Sequence, residues 1–541
     1  EMCEIGNPNV RSLNTLLRGC LWTAATLENG LVAGGVITSD FAWRQSHYQD
    51  SSSFEYYVIQ LSQALRIDDA RDEIERFKQI MKIETKRSKK GDNYETEDKT
   101  SLESLSVCLL AFTRAKAMLG LDARQTGTST LNAVNAALSG NTKTTNERAY
   151  GGKRAWKKDE NQQRIVSNTR YREHRLNEIR NEVKLILDSL RIRKPKPKQA
   201  AKNLCRQLMT RFFYFSGGGT TSSINGDEKS SKNCVTNPKD TIAQLTTSNW
   251  VSFGLKTAFL KFDEHALSNI KRLTWKQCKH ILEVLNIDAK SLVDEKGFIS
   301  FSGLFSVGCP KGAVRPLNIE LGSGFGDWAV HQATCNPDQD YIAVELRADR
   351  IAQTFARAIL SEKPVRNLCC VGADCSSFLR ERVEKNTVTN IFVNHPEPPT
   401  QTFGADDEEL SKIAQGGDEP AHILNSNIII SAANCLVPTK SMLVIVTDNR
   451  MYARLICASV KKAMKLEPSI IQSTCPSSPS KMKLLEVLWG VSLYEGQPDE
   501  SIRHSIKTSD SGQSYFDRLW KAGAGTHADC YKRFVIVVKR V

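Results

Sequence analysis

The segment Leu317-Asn318-Ile319-Glu320-Leu321-Gly322-Ser323-Gly324-Phe325-Gly326-Asp327-Trp328 constrains the fold more than any other part of the chain. Five residues of strand character run straight into a turn holding three glycines, and a helical stretch follows. A strand buried on both faces reads as such a short apolar run bounded by turn residues. Further runs of this kind stand at 341–346, 368–372, 390–394 and 442–447. Helical stretches separate them, one reaching about residue 361 and another covering 421–436. Strands that alternate with helices need parallel neighbours, and the helices then cover both faces of the sheet. The pattern predicts an α/β Rossmann-like domain over 316–541. Its last strand, the β-branched run 533–541, is expected at an antiparallel position.

In an open α/β sheet a ligand sits beyond the carboxyl ends of the strands, where the strand order reverses. Gly322 and Gly324 let the backbone turn sharply and approach a ligand with no Cβ in the way. A dinucleotide-binding turn places its third glycine five residues after the first, but that position is Asp327, and Gly326 comes one residue early. Glu320 stands two residues before Gly322. An acid there favours a ligand carrying an amine over a pyrophosphate. Glu345 closes the second strand, where it can accept from two ribose hydroxyls. Asp374 follows the third and can accept from an adenine amino group. A glycine turn with acids after three successive strands points to S-adenosyl-L-methionine as cofactor and to methyl transfer, which makes the domain a class I methyltransferase.

Three later motifs narrow this. They are Val393-Asn394-His395-Pro396-Glu397-Pro398-Pro399 after the fourth strand, Thr447-Asp448-Asn449-Arg450-Met451-Tyr452 after the fifth, and Ser514-Tyr515-Phe516-Asp517 near the end. In this order they resemble the tRNA (guanine-N7)-methyltransferase family. That family carries Phe-Pro-Asp-Pro-Trp, Thr-Asp-x-x-x-Tyr and Thr-x-[Phe/Tyr]-Glu at these places. The resemblance implies that Glu320, Gly322, Gly324, Glu345, Asp374 and Glu397 hold the methyl donor. It implies that Glu397, close to the reacting guanine, is the catalytic position, and that Asp448, Ser514 and Asp517 bind substrate. A carboxylate facing the N1 and N2 donors of guanine is sound hydrogen-bond chemistry. Two departures stand out. Pro399 replaces the tryptophan, and Gln401 followed by Asp406-Asp407-Glu408-Glu409 replaces a basic run.

The first 140 residues read as helical. Leu13, Leu16, Leu17 and Cys20 share one helix face, and so do Tyr57, Leu61, Ala64 and Leu65, and Leu102, Leu105, Leu109 and Phe112. The opening, Asn9-Val10-Arg11-Ser12-Leu13-Asn14-Thr15-Leu16-Leu17-Arg18-Gly19, resembles a pentatricopeptide repeat, a family of stacked helical hairpins that read RNA bases. Residues 1–140 are therefore expected to form an α-helical, repeat-like region, 141–215 a basic helical segment, 216–245 a Gly/Ser/Thr/Asn-rich linker and 246–315 a small helical connector.

Charge supports this division. Within 141–210, 19 Lys and Arg face 7 Asp and Glu, an excess of 12 out of a chain total of +14. A local basic excess implies a polyanion partner, because Lys and Arg displace the counterions condensed on phosphates. The partner expected here is RNA, in the first place tRNA. Fifteen cysteines with no CxxC pair speak against a disulfide framework and against a zinc site, and for a reducing intracellular compartment. Pentatricopeptide-like arrays further resemble organellar proteins of mitochondria or plastids. No apolar run has membrane-spanning length, so neither a membrane nor a metal partner is expected. Three readings arise from the sequence: an RNA methyltransferase; a non-catalytic RNA-binding or assembly protein that keeps a degenerate methyltransferase fold; and a small-molecule methyltransferase, which the basic stretch and the helical repeats disfavour.

Overall fold

A computed structural model describes residues 10–22, 50–88, 94–139, 155–192, 196–214, 254–265, 275–305, 315–361, 365–399, 406–439, 441–474, 482–496 and 532–541. The first described part is helical: α1 (Val10–Trp22), α2 (Ser51–Gln63), α3 (Ile67–Ser88), α4 (Tyr94–Met118), α5 (Arg124–Ser139), α6 (Ala155–Ile192) and α7 (Pro197–Arg211). Leu13, Leu17 and Leu21 on α1 are buried at every fourth position, the stripe a helix needs to pack on a neighbour. Asp50 caps α2 by accepting from the Ser53 N–H, and it also accepts from Asn14 Nδ2 at 2.9 and 3.0 Å, which fixes α1 against α2.

A strand, β1 (Phe212–Tyr214), follows α7 directly. Three short helices come next: α8 (Leu255–Phe262), α9 (Trp275–Val284) and α10 (Phe301–Phe305). The alternating part then runs β2 (Leu317–Leu321), α11 (Asp327–Cys335), β3 (Asp340–Glu345), α12 (Ala348–Leu360), β4 (Leu368–Gly372), α13 (Cys375–Glu381), β5 (Asn390–Asn394), α14 (Asp407–Ala414), α15 (Ser426–Cys435), β6 (Met442–Thr447) and α16 (Arg450–Leu466). Strands β7 (Ile471–Ser473), β8 (Met482–Leu488), β9 (Val491–Gly496) and β10 (Phe534–Arg540) end the chain.

Among the described residues these strands form one ten-stranded sheet, ordered β1-β4-β3-β2-β5-β6-β10-β9-β8, with β7 also on β10. The six strands from β1 to β6 pair in parallel, and β10 pairs antiparallel to β6. The expected alternation and the antiparallel last strand are both present. The order reverses between β2 and β5, so their carboxyl ends flank the crevice where a ligand binds.

The expected boundaries at 215 and 316 are not where the core divides. Residues 212–214, placed in a basic helical segment, pair with Cys370, Val371 and Gly372 of β4 and so belong to the parallel sheet. One buried cluster unites Ala64, Leu119, Leu208, Phe212, Phe259 and Phe301 with the sheet residues. The connector helices α8 to α10 thus pack into the same core as the α/β sheet. The expected linker at 216–245 lies outside the described residues. Local pattern could not reveal β1, because Phe-Phe-Tyr after a helix looks like a helix end until a partner strand is known.

The helical region also docks on α12. The Arg347 guanidinium lies 4.3 Å from the Trp22 ring centre, Gln63 Nε2 donates to the Asp349 carbonyl at 3.4 Å, and Arg357 Nη2 stands 3.6 Å from Glu182 Oε2. The basic helix α6 spends part of its charge inside the molecule. Arg175 reaches Glu55 at 2.5 Å and Glu103 at 2.9 Å, and Arg172 reaches Glu103 at 3.0 Å. Burial opposes the charge on Arg175, but the two carboxylates outweigh it and raise its pKa.

Candidate active site

Strand β2 ends one residue after Glu320, whose buried carboxylate lies at the switch point. Asn394, at the end of the neighbouring β5, donates its Nδ2 to Glu320 Oε1 at 2.8 Å and fixes the acid in the crevice. The turn that follows has Gly322, Gly324 and Gly326 at φ +68°, +55° and +70°. A side chain would be strained at each. Their surroundings separate two roles. A Cβ at Gly326 would fall 2.2 Å from Thr354 Cγ2, so this glycine permits close helix packing. A Cβ at Gly324 would meet nothing within 4 Å, and one at Gly322 only Ile423 at 3.6 Å. These two leave bare backbone facing open space, a cradle that a larger ligand can enter.

Glu345 ends β3 and faces the same turn. Its Oε2 accepts from the Gly324 N–H at 2.9 Å, and its Oε1 from the Arg347 N–H at 2.9 Å. A carboxylate offers about four lone-pair sites, so two backbone donors leave roughly two for vicinal hydroxyls. Burial pushes the Glu345 carboxyl above its ordinary pKa, and the backbone donors and Arg350 only partly offset this. Asp374 lies just past β4, exposed, and caps α13 by accepting from the Ser377 N–H at 2.9 Å.

Beside these acids a cavity of about 750 Å³ is lined by Leu346, Asp374, Cys375, His422, Ile423 and Asn425, among others. Leu346 is 61% exposed, unusual for a leucine, and together with Ile423 offers apolar faces for a flat ring. The sequence-predicted donor residues Glu320, Gly322, Gly324, Glu345 and Asp374 thus gather at one carboxyl-end crevice.

The two later motifs that the structure describes lie at the ends of β5 and β6. His395 has φ +52°, its N–H donates to the Val446 carbonyl at 2.7 Å, and its buried imidazole Nδ1 stands 3.8 Å from Asp448 Oδ1. The motif after the fourth strand is therefore tied to the motif after the fifth. Glu397 is exposed two residues further on. Among the described residues it makes no hydrogen bond or ion pair with Glu320, Glu345 or Asp374. Ser514 and Asp517 lie outside the described residues.

Several participants escaped the sequence reading. Asn394 stood inside a quoted motif, and its place at a strand end beside Glu320 was the available signal. Beneath the cavity, His422 Nδ1 is 3.2 Å from the Tyr452 hydroxyl and its Nε2 3.5 Å from Ser459 Oγ. Glu419 accepts from Ser426 Oγ at 2.5 Å and pairs with Lys462 at 3.1 Å. Burial would raise the Glu419 carboxyl, but His422, Ser426 and Lys462 outweigh it and hold it far below the usual range. This network carries no motif and is visible only in three dimensions. Cys369 and Cys370 are core residues, and burial pushes the Cys369 thiol up to about 12.

Part of the chain is similar to known proteins. Residues 314–402 match a family described as "Putative methyltransferase". The tRNA (guanine-N(7)-)-methyltransferase of Chlamydia abortus is 38% identical over 84 residues, 16% of this chain and 37% of that protein. The enzyme of the same name from Paenarthrobacter aurescens is 33% identical over 87 residues, 16% of this chain and 28% of its own length. The matched stretch thus spans little more than a third of these curated relatives at most. A solved antibiotic-resistance methyltransferase, Kmr, overlays with a TM-score of 0.25 at 13% identity over 43% of this chain and 89% of that one, a likeness too slight to build on. Over this stretch the chain is similar to methyltransferases, tRNA (guanine-N7)-methyltransferases among them.

Proposed function

We propose that the chain methylates N7 of a guanine in RNA, with tRNA the first candidate. The observation that carries this reading is the convergence of Glu320, Gly322, Gly324, Glu345 and Asp374 at the switch point, beside a substrate edge built from His395 and Asp448. Bound there, S-adenosyl-L-methionine supplies an electrophilic methyl group. Glu320 takes the amine of its amino-acid end, Glu345 the ribose hydroxyls, and Asp374 the adenine amino group, with Leu346 and Ile423 against the ring. Guanine N7 is already a nucleophilic lone pair, so the protein needs no strong base. Its task is in-line positioning and electrostatic support, which Asp448 and Glu397 provide from the guanine's N1 and N2 edge.

The helical region is proposed to hold the RNA in the manner of a pentatricopeptide-like array. Arg172 and Arg175 are engaged by Glu103 and Glu55, so phosphate contacts fall to Lys184, Arg191, Lys196 and Lys202, which are exposed. A reducing compartment is proposed with it, organellar in keeping with the array. A second reading, a non-catalytic RNA-binding or assembly protein, draws on one observation. Asp407, in the acidic run where the family has basic residues, pairs with Arg454 at 2.7 Å instead of leaving cations for RNA.

Calorimetry with the donor, followed by labelled-methyl transfer to bulk tRNA and nucleoside mass spectrometry, tests the proposal. Donor binding with 7-methylguanosine formation supports it. Donor binding without transfer favours the second reading, and no donor binding refutes the methyltransferase reading. Glu320→Ala should abolish donor binding.

A further inference from the structure

The glycine turn has three left-handed residues in five, a shape that persists only when the surroundings over-determine it. Helix α12 supplies the outer grip through one face, spaced i, i+4, i+7. The Arg350 guanidinium lies 5.5 Å from the Phe325 ring centre, Thr354 Oγ1 is 3.5 Å from the Gly324 carbonyl, and Arg357 Nη1 donates to the Phe325 carbonyl at 3.0 Å. Arg357 also pairs closely with Asp327, the first residue of α11, so a single guanidinium ties both ends of the turn's second half.

Arg357 is itself held from outside the methyltransferase fold. Its Nη2 stands 3.6 Å from Glu182 Oε2 on α6. Glu182 in turn accepts from Arg114 Nη2 of α4 at 2.6 Å and pairs closely with Arg114 Nε. The side chains of Arg114, Glu182 and Asp327 are 12–14% exposed and that of Arg357 is 24% exposed, so water screens these charges poorly. A guanidinium shared between Asp327 and Glu182 is aimed by both. Removing the Glu182 charge frees Arg357 to swing, and with it the carbonyl of Phe325 and the backbone that faces the donor.

We propose that Glu182 and Arg357 are positioning residues for the methyl donor, so that the amino-terminal helical region sets the shape of the donor-binding turn as well as its own fold. This rests on the donor-site reading above.

The test uses the full chain. Donor affinity is measured by calorimetry for the parent, Glu182→Gln, Arg357→Lys and Arg357→Gln, with Ile74→Ala as a control that loosens the α2–α3–α4 core away from the turn. Glu182→Gln and Arg357→Gln should weaken donor binding on the order of tenfold, within the usual range for coupled sites, while Arg357→Lys recovers part of it. In turnover, KM for the donor should rise with kcat at saturating donor little changed. Ile74→Ala should lower the melting temperature and leave donor affinity at the parental value. Equal affinity in the parent and both charge-removing variants overturns the inference alone, as does an equal loss in Ile74→Ala. A parent that fails to bind donor overturns the donor-site reading and the inference with it.

Discussion

The pairing of β1 with β4 makes a sharp prediction at Gly372. Its φ is ordinary, so alanine costs nothing in backbone strain there. The obstacle is Tyr214, whose ring covers the glycine: a Cβ at 372 would lie 2.0 Å from Tyr214 Cδ2 and 2.4 Å from Cε2. Tyr214 is buried and its hydroxyl stands 3.5 Å from the Leu346 carbonyl, so the ring cannot move aside without disturbing the cavity wall. Overpacking of this kind costs about 1–3 kcal/mol, and the clash places Gly372→Ala near the top of that range, at about 3 kcal/mol. Tyr214→Ala removes a buried ring and costs about 3 kcal/mol by itself. Were the sites independent, the double variant would lose about 6 kcal/mol, since distant substitutions add. With the ring gone the new methyl has room, and the double variant should lose only about 3 kcal/mol. The coupling is thus about 3 kcal/mol, read from denaturant midpoints of the four full-length proteins. Donor affinity should follow the same pattern, falling in Gly372→Ala and recovering in part in the double variant, because Asp374 lies two residues further along the strand end. A Gly372→Ala cost that is the same with and without Tyr214 would refute the placement of β1 on β4.

Other expectations follow from the charged groups. Glu345→Gln should weaken donor binding at neutral pH. The raised pKa of Glu345 means that donor affinity in the parent should fall as pH is lowered, sooner than an exposed carboxylate would allow; a flat profile would remove Glu345 from the donor contacts. Burial would raise the Glu182 carboxyl, but Arg114 and Arg357 outweigh it and lower it from 4.5 to about 2. Its contribution to stability is therefore fully present above pH 4.5 and is lost as pH falls towards 2. At 1.36 kcal/mol per pH unit this is worth about 3 kcal/mol, so acid unfolding of Glu182→Gln should show a shallower dependence on pH in that window. Removing one partner of a buried ion pair is costly, so Glu419→Gln should destabilise by about 3 kcal/mol in thermal melts, and a loss below about 0.5 kcal/mol would show that Lys462 and Ser426 find other partners. Reversing the charges of Lys184, Arg191, Lys196 and Lys202 should weaken tRNA binding and flatten its salt dependence, whereas the same measurement unchanged would place the RNA elsewhere.

The crevice at the strand ends was legible in the sequence. Glu320 and Glu345 stand at the ends of strands and Gly322, Gly324 and Asp374 just past them, and a strand's end is fixed by the residues that form it. The substrate side was harder. The relation of His395 to Asp448 joins two loops across adjacent strands 53 residues apart, and only the register of β5 on β6 brings them within 3.8 Å.

What the sequence by itself determined is the alternation of strands and helices, the glycine turn, and the acids that ring it. Those are consequences of period, propensity and short-range backbone geometry, which neighbouring residues decide among themselves. The tertiary structure alone decided where the helical region ends. It sends β1 into the catalytic sheet, spends Arg172 and Arg175 on Glu103 and Glu55, and sets Glu182 behind Arg357. Ion pairs and strand pairings between segments far apart in the chain leave no periodic trace in it. The excess of positive charge in 141–210 was therefore readable as a quantity, but the share that faces solvent was set by which carboxylates the fold placed opposite it.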